Sequence, residues 1–282
     1  MRIAITGANG QLGRALIATL ARHHDVVALG HDQLELSDPA TVDQIANTRA
    51  EVVIHAAAYT NVDGCARDPV LAYRVNGLGT RYVALGCRRI DAAMVYISTN
   101  EVFAGTSHRP YYEDDPTGPI NPYGQSKLAG EQEVRFLVAR HFIVRVAWLF
   151  GGERNFVQTV LRLAANPPNG VLRMVADEIG SPTYAGDVAA GLARLITTDY
   201  YGTYHFVNDG ICSRYEFAAE ILRQAGIDTP LLPIRLRDFQ RDSTPPPYTP
   251  LANIAGAALG ITFRPWQEAV ADYLERLRSA HV

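Results

Sequence analysis

The chain begins with a short apolar run, Arg2-Ile3-Ala4-Ile5-Thr6, that ends abruptly in the glycine-rich stretch Gly7-Ala8-Asn9-Gly10-Gln11-Leu12-Gly13. Similar runs follow in "VVALG", "VVIHAAA", "MVYIST" and "FIVRVAWLFG". These runs are rich in β-branched residues and alternate little between apolar and polar. That pattern predicts strands buried on both faces of a parallel sheet. Between them, "QLGRALIATLARHH" and "VLAYRVNGLGTRYVALGCRRI" repeat apolar residues at helical spacing. Strand and helix in alternation predict an α/β fold, a Rossmann-type doubly wound parallel sheet.

After about residue 150 the rhythm loosens. "ANPPNG" and "DSTPPPYTP" read as turn-rich loops. "SRYEFAAEILRQAG" and "RPWQEAVADYLERLRSA" read as amphipathic helices, the first opened by a capping box of Ser213 and Glu216. Residues 1–150 are therefore expected to form a dinucleotide-binding domain. Residues 151–282 are expected to form a smaller, mixed, mainly substrate-binding region with parts that pack back on the first.

Composition narrows the classes. With 48% hydrophobic and 20% charged residues, the chain has the balance of an ordinary globular protein. A net charge of −3 offers no basic footprint, so neither nucleic acid nor an anionic membrane surface is an expected partner. Cys65, Cys87 and Cys212 are scattered and odd in number. They suggest no disulfide frame and no zinc site, so no metal is expected and a reducing compartment is. No apolar run reaches membrane-spanning length, and the N-terminus lacks the h-region of a signal peptide. A cytoplasmic location follows as the expectation. A homodimer stays open.

The chemistry sits at the ends of the predicted strands. Glycines at 7, 10 and 13 allow a tight turn and a close backbone approach to a pyrophosphate at a helix N-terminus. The plain alternative is a glycine turn between strand and helix. Where an acid would bind the ribose diol of NAD, the second strand ends in Gly30, then His31 and Asp32. No Arg stands there for a 2′-phosphate, so NADPH and NADH both remain candidate cofactors. Glu35 and Leu36 lie where the next turn would flank an adenine ring, unless that turn is an ordinary loop. Ala56, Ala57 and Ala58, followed by Tyr59 and Thr60, end the third strand with small residues against which a cofactor, or a packed helix, could lie.

The fourth run breaks from Met94-Val95-Tyr96-Ile97 into Ser98-Thr99-Asn100-Glu101, so either the strand has reached water or these groups face a ligand. Tyr123 and Lys127 stand at i and i+4 of a predicted helix and share one face. A nearby ammonium is expected to favour phenolate and lower the Tyr123 pKa. Such a tyrosine can donate a proton to a carbonyl oxygen during reduction, and the ammonium can hold the nicotinamide ribose. A surface contact is the bland alternative for the pair.

Taken in order, "GANGQLG", "HAAAYTNVD", "STNEVFAG", "NPYGQSKLAGE", "VRVAWLFG", "RNFVQTVLRLA", "DEIGSPTYAGDVA" and "GTYHF" run over nearly the whole chain. Through them the chain resembles the extended short-chain dehydrogenases/reductases. More closely, it resembles the nucleotide-sugar 4-ketoreductase group that includes dTDP-4-dehydrorhamnose reductase. The resemblance implies NAD(P)H-dependent reduction of a dTDP- or other NDP-linked 4-keto-6-deoxy sugar to the 4-hydroxy sugar, as in dTDP-L-rhamnose synthesis. It implies that Thr99 hydrogen-bonds the substrate carbonyl, Tyr123 donates the proton and Lys127 tunes Tyr123 and binds the ribose. Gly10, Gln11 and Leu12 would meet the pyrophosphate, and Ala58, Tyr59 and Thr60 would line the cofactor. Trp148 would lie against the sugar nucleotide, or else be a core tryptophan. Asn155 would help fix the nucleotide side, or else cap a helix.

The departures matter as much. The reductase group usually carries Thr-Asp-Tyr where this chain has Thr99-Asn100-Glu101. Related 4,6-dehydratases carry Thr-Asp-Glu, with the Asp as acid and the Glu as base. Glu101 therefore raises a dehydratase or epimerase alternative, while Asn100 has no acidic proton to give. Pro245-Pro246-Pro247-Tyr248-Thr249 replaces an Arg-Pro of the family, removing an expected phosphate contact. A non-catalytic alternative also exists, since the regulatory subunit of methionine adenosyltransferase resembles the same group.

Overall fold

Successive residues of a strand point to opposite faces, so a strand covered on both sides must be apolar throughout. The computed structural model, which describes residues 1–279, shows this residue by residue. Strands β1 (Arg2–Thr6), β2 (Asp25–Leu29), β3 (Val52–His55), β4 (Ala93–Thr99), β5 (His141–Val146) and β6 (Gly202–His205) form one six-stranded sheet. Its order is β6-β5-β4-β3-β1-β2, and every neighbouring pair is parallel. Ile3, Ile5, Ile54 and Val95 face the helices Gln11–Leu20 and Ala185–Leu195. The interleaved Ala4, Val53, Met94 and Tyr96 face the helices Thr41–Asn47, Gly79–Arg89 and Pro122–Leu137. Each fully buried Ile or Val side chain contributes about 1.5–3 kcal/mol of transfer free energy.

The chain runs from β1 outward to β2, then returns across β1 to place β3 on its other side. At such a switch point the loops beyond the carboxyl ends diverge and leave a crevice. The glycine loop after β1, the small residues after β3 and the polar cluster after β4 all border it.

The later part of the chain builds on both regions. The helix Ala185–Leu195 packs on Gln11–Leu20, and β6 extends the sheet beside β5. A separate core around Phe150, Phe217, Trp266 and Tyr273 joins the helices Phe156–Ala165, Arg214–Ala225 and Trp266–Ser279. The predicted capping box is formed: the Glu216 N–H donates to Ser213 Oγ at 3.1 Å and the Ser213 N–H donates to Glu216 Oε2 at 2.7 Å.

Two segments depart from the periodicity. The run "FIVRVAWLFG" is not one strand. β5 stops at Val146, Trp148 adopts a φ of 42°, and Leu149–Phe150 then pairs with Thr183–Tyr184. A positive φ at a tryptophan breaks extended geometry, and apolar content alone cannot signal it. The long helical run before β4 is built from Pro69–Tyr73, a wider π-helical turn Arg74–Leu78 and Gly79–Arg89. Among the described residues, no helix is long and apolar enough to cross a membrane.

Candidate active site

A cavity of about 880 Å³ occupies the crevice. It extends from Glu35, beyond β2, past the glycine loop and Ala57 to Thr99, Tyr123 and Trp148. Its size lies within the range that holds cofactors and small substrates. The expected site residues Gly7, Asn9, Gly10, Gln11, Leu12 and Gly13 line it, as do Leu36, Ala56, Ala58, Tyr59, Thr60, Asn100, Glu101 and Lys127. Asn155 does not. Its Oδ1 accepts from the Gln158 N–H at 3.2 Å to cap the helix Phe156–Ala165, and its Nδ2 donates to Tyr273 Oη at 2.8 Å. The capping alternative is the one its position supports.

The glycine loop is shaped for close approach. Gly7 has φ +69°, and a Cβ there would lie 2.7 Å from the Ala57 nitrogen. A side chain at this position would clash with the β3 end and close the floor of the cavity. Gly10 stands at the N-cap without a side-chain partner, so the first N–H groups of the helix Gln11–Leu20 are left to a ligand. This pre-formed cradle suits a dinucleotide pyrophosphate. Farther out, Glu35 accepts from Ser37 through both its backbone N–H, at 3.0 Å, and its hydroxyl, at 2.7 Å. These bonds hold its carboxyl below the ordinary carboxylate range.

At the other end, β4 delivers Thr99 and Asn100 nearly buried, 5% and 4% exposed. Thr99 Oγ1 accepts from the Glu101 N–H at 3.2 Å and donates to Asn100 Oδ1 at 3.2 Å. Asn100 Nδ2 donates to Thr249 Oγ1 at 2.6 Å. The Asn100 amide nitrogen is thus committed to the late proline loop and ties it to the end of β4. Asn121 caps the helix Pro122–Leu137, accepting from the Gly124 N–H at 2.8 Å, while its Nδ2 donates to Glu101 Oε2 at 2.6 Å. Gly124 lets this helix start against the turn after β4, because a Cβ there would lie 2.0 Å from the Glu101 carbonyl oxygen.

The electrostatics differ from the expectation for Tyr123. Burial raises its pKa, the Glu101 carboxylate raises it further, and a hydrogen bond with Thr99 only partly opposes them. The phenol is therefore held protonated, and the expected lowering by Lys127 does not dominate. The reason is geometric. Lys127 Nζ donates to the Ile97 carbonyl at 2.7 Å and sits 4.1 Å from the centre of the Tyr96 ring. Burial brings the Lys127 pKa down to about 7, with the Glu131 carboxylate working against it. Burial likewise raises the Glu101 pKa, opposed by its bond from Asn121. Trp148 lines the cavity with the Arg214 guanidinium 3.6 Å from its ring centre.

Comparison with known proteins fits this geometry. The family model described as "RmlD substrate binding domain" matches residues 1–279. The chain belongs to that family. It is 38% identical to the spore coat polysaccharide biosynthesis protein SpsK of Bacillus subtilis, over 99% of each chain. The solved structure of a dTDP-4-dehydrorhamnose reductase from Clostridium acetobutylicum superposes with a TM-score of 0.95 at 36% identity, covering 99% of this chain and 100% of that one. The Bacillus anthracis dTDP-4-dehydrorhamnose reductase, solved in complex with NADP, has a TM-score of 0.92 at 37% identity, covering 98% and 99%. The resemblance read from the motifs, and the Rossmann-type fold, both stand.

Several side chains of this RmlD-type site were not singled out in the sequence. Asn76, in the π-helical turn, accepts from the Tyr59 N–H at 2.8 Å and donates to the Tyr59 carbonyl and to Ser126 Oγ, both at 3.0 Å. It ties the strip after β3 to the helix that carries Tyr123. No local pattern announces that link. Asn121 was legible, since Asn followed by Pro is a helix-start signature. Arg214 lies far from the other site residues in sequence and reaches the cavity only through the fold.

Proposed function

We infer that this chain is a cytoplasmic NAD(P)H-dependent reductase of a nucleotide-linked 4-keto-6-deoxy sugar, acting in dTDP-rhamnose synthesis. The observation that carries the reading is one cavity with a glycine cradle at one end and Thr99, Tyr123 and Lys127 together at the other. When bound, NADPH or NADH supplies a hydride to the carbonyl carbon. Tyr123 holds its proton at neutral pH, yet a phenol is more acidic than the alcohol being formed, so it can protonate the carbonyl oxygen. Thr99, turning its one O–H away from Asn100 Oδ1, donates a hydrogen bond to the same oxygen. Lys127, as ammonium, donates to the ribose hydroxyls, and the N–H groups of Gln11 and Leu12 receive the pyrophosphate. Trp148 covers the sugar nucleotide.

The test is turnover of a panel of nucleotide 4-keto-6-deoxy sugars with NADPH and NADH, the product identified by NMR. Consumption of the reduced cofactor together with a 4-hydroxy sugar is expected. Incubation with dTDP-glucose and NAD is expected to yield no 4-keto-6-deoxy product. Formation of that product would replace the reductase reading by the dehydratase one, with Glu101 as its base.

A pH dependence follows from Lys127. Its ammonium is present below its pKa of about 7 and is lost as the pH rises through that value. The Kd for NADH, measured by fluorescence titration, is expected to rise between pH 6 and pH 9 with an inflection near 7. In Lys127→Met the affinity should be lower and this inflection missing. An unchanged inflection in the variant would assign it to another group.

A further inference from the structure

The late loop runs through Pro245-Pro246-Pro247 and places no cation on the cavity wall. A nucleotide sugar carries a diphosphate, and the proposed substrate therefore still needs a cationic partner. The cavity wall holds one. Arg214 lines the cavity at the end that also holds Trp148 and Glu101. Its side chain is 23% exposed, so it is half-buried rather than waving in solvent. The guanidinium carbon lies 3.6 Å from the Trp148 ring centre and 5.2 Å from that of Phe156. Arg214 Nε donates to Glu178 Oε1 at 3.1 Å. A guanidinium has five N–H donors in a rigid fork, and this bond uses the Nε edge alone. Among the described residues, no bond is made by either terminal nitrogen of Arg214. The plane is thus fixed by two aromatic rings and one carboxylate, with four N–H groups left over beside the cavity.

A second cation stands close to this end of the cavity. Arg241 also stands near enough to Glu101 to favour its charged form, as Arg214 does. It is tied through Nε to Asp63 Oδ1 at 3.1 Å. Glu178, paired with the Nε edge of Arg214, balances its charge. A fork held in this way binds phosphate oxygens in pairs without first having to order its own side chain.

We propose that Arg214, stacked on Trp148, is the diphosphate-binding residue of the nucleotide-sugar site. The inference deepens the reductase reading and rests on it for the choice of ligand. In it, Trp148, besides covering the sugar nucleotide, is the platform that aims the guanidinium. Arg214 supplies the cation from the first turn of the helix Arg214–Ala225.

Calorimetric titration of the full chain with nucleotides, without turnover, tests it. The probes are dTDP, UDP, GDP, inorganic pyrophosphate and thymidine. Wild-type protein is expected to bind at least one of the nucleoside diphosphates. In Arg214→Ala the Kd for that diphosphate should rise about 10- to 100-fold, the weight of one charge-assisted bidentate contact. Arg214→Lys should fall between, because a point charge cannot reproduce the fork. Thymidine binding, where measurable, and the Kd for NADPH should stay within about twofold of wild type. The NADPH titration also reports that each variant is folded. The proposal is overturned if wild type binds none of the three diphosphates. It is overturned equally if Arg214→Ala leaves diphosphate affinity unchanged, or weakens thymidine and NADPH as much as the diphosphate. Arg214-dependent diphosphate binding in a protein that turns over no 4-keto sugar would instead sink the reductase reading and leave the phosphate site standing.

Discussion

Tyr123→Phe is expected to lower kcat for the 4-keto sugar by about 10²- to 10⁴-fold, the usual weight of a positioned general acid. The substitution removes one oxygen and keeps the ring, so the packing at the start of the helix Pro122–Leu137 should survive. The Kd for NADPH should change little. The comparison that gives the result meaning is Glu101→Gln. Two acids meet at this end of the cavity, and burial raises the pKa of both. Glu101 is already engaged by Asn121 at 2.6 Å, whereas Tyr123 faces Thr99, the other group proposed to touch the carbonyl. A large loss in Tyr123→Phe with a small one in Glu101→Gln assigns the proton to the phenol. The reverse order would make Glu101 the donor and remove Tyr123 from the mechanism.

Arg145→Met is expected to cost about 3–5 kcal/mol of stability, the penalty for removing one member of a buried ion pair. Arg145 on β5 is 2% exposed and the Glu131 side chain 0%. The two pair bidentately, Nε to Oε1 and Nη2 to Oε2, each at 2.9 Å. Ser98, next to Thr99 on β4, donates to Glu131 Oε1 at 2.6 Å. Burial pushes the Glu131 pKa up, but the bonds from Arg145 and Ser98 bring it below the ordinary value. A carboxyl with a lowered folded pKa contributes stability above its unfolded pKa, and that contribution is lost as the pH falls through the folded value. Without Arg145 the carboxyl loses its bidentate partner and keeps only the bonds from Ser98 and from Arg135 Nη2, at 3.0 Å, against burial, so it should bind a proton more readily. The deficit of the variant should therefore be largest near pH 7 and shrink toward pH 4. Urea unfolding at both pH values measures it. A deficit below about 1 kcal/mol, the range of an exposed pair, would mean that the pair is not buried in solution. Replacing both partners, Arg145→Met with Glu131→Leu, should recover much of the loss.

Much of this protein was legible in its residues because the governing interactions are local or periodic. The runs at β1, β3 and β4 announce a sheet covered on both sides, since only a two-faced core makes unbroken apolar strands favourable. Ser213 and Glu216 announce a helix start, and Tyr123 with Lys127 announces a shared helical face, because each pattern is completed within one turn. The glycine loop carries its meaning in backbone sterics, which depend on adjacent residues. Tertiary structure decided the rest. Trp148 lies in an apolar run, and only its positive φ turns the chain out of β5 and toward the cavity. Asn155 carries the residue type of a ligand contact but spends its amide on a helix end and Tyr273. The Tyr123 pKa depends on how deeply the phenol is buried and on Glu101 reaching it, and spacing encodes neither. Arg214 reaches the site from a helix some 90 residues beyond Tyr123, packed through Phe217 into a core of its own. Burial, field and long-range approach depend on where the whole chain places its atoms, so no stretch of sequence reveals them by itself.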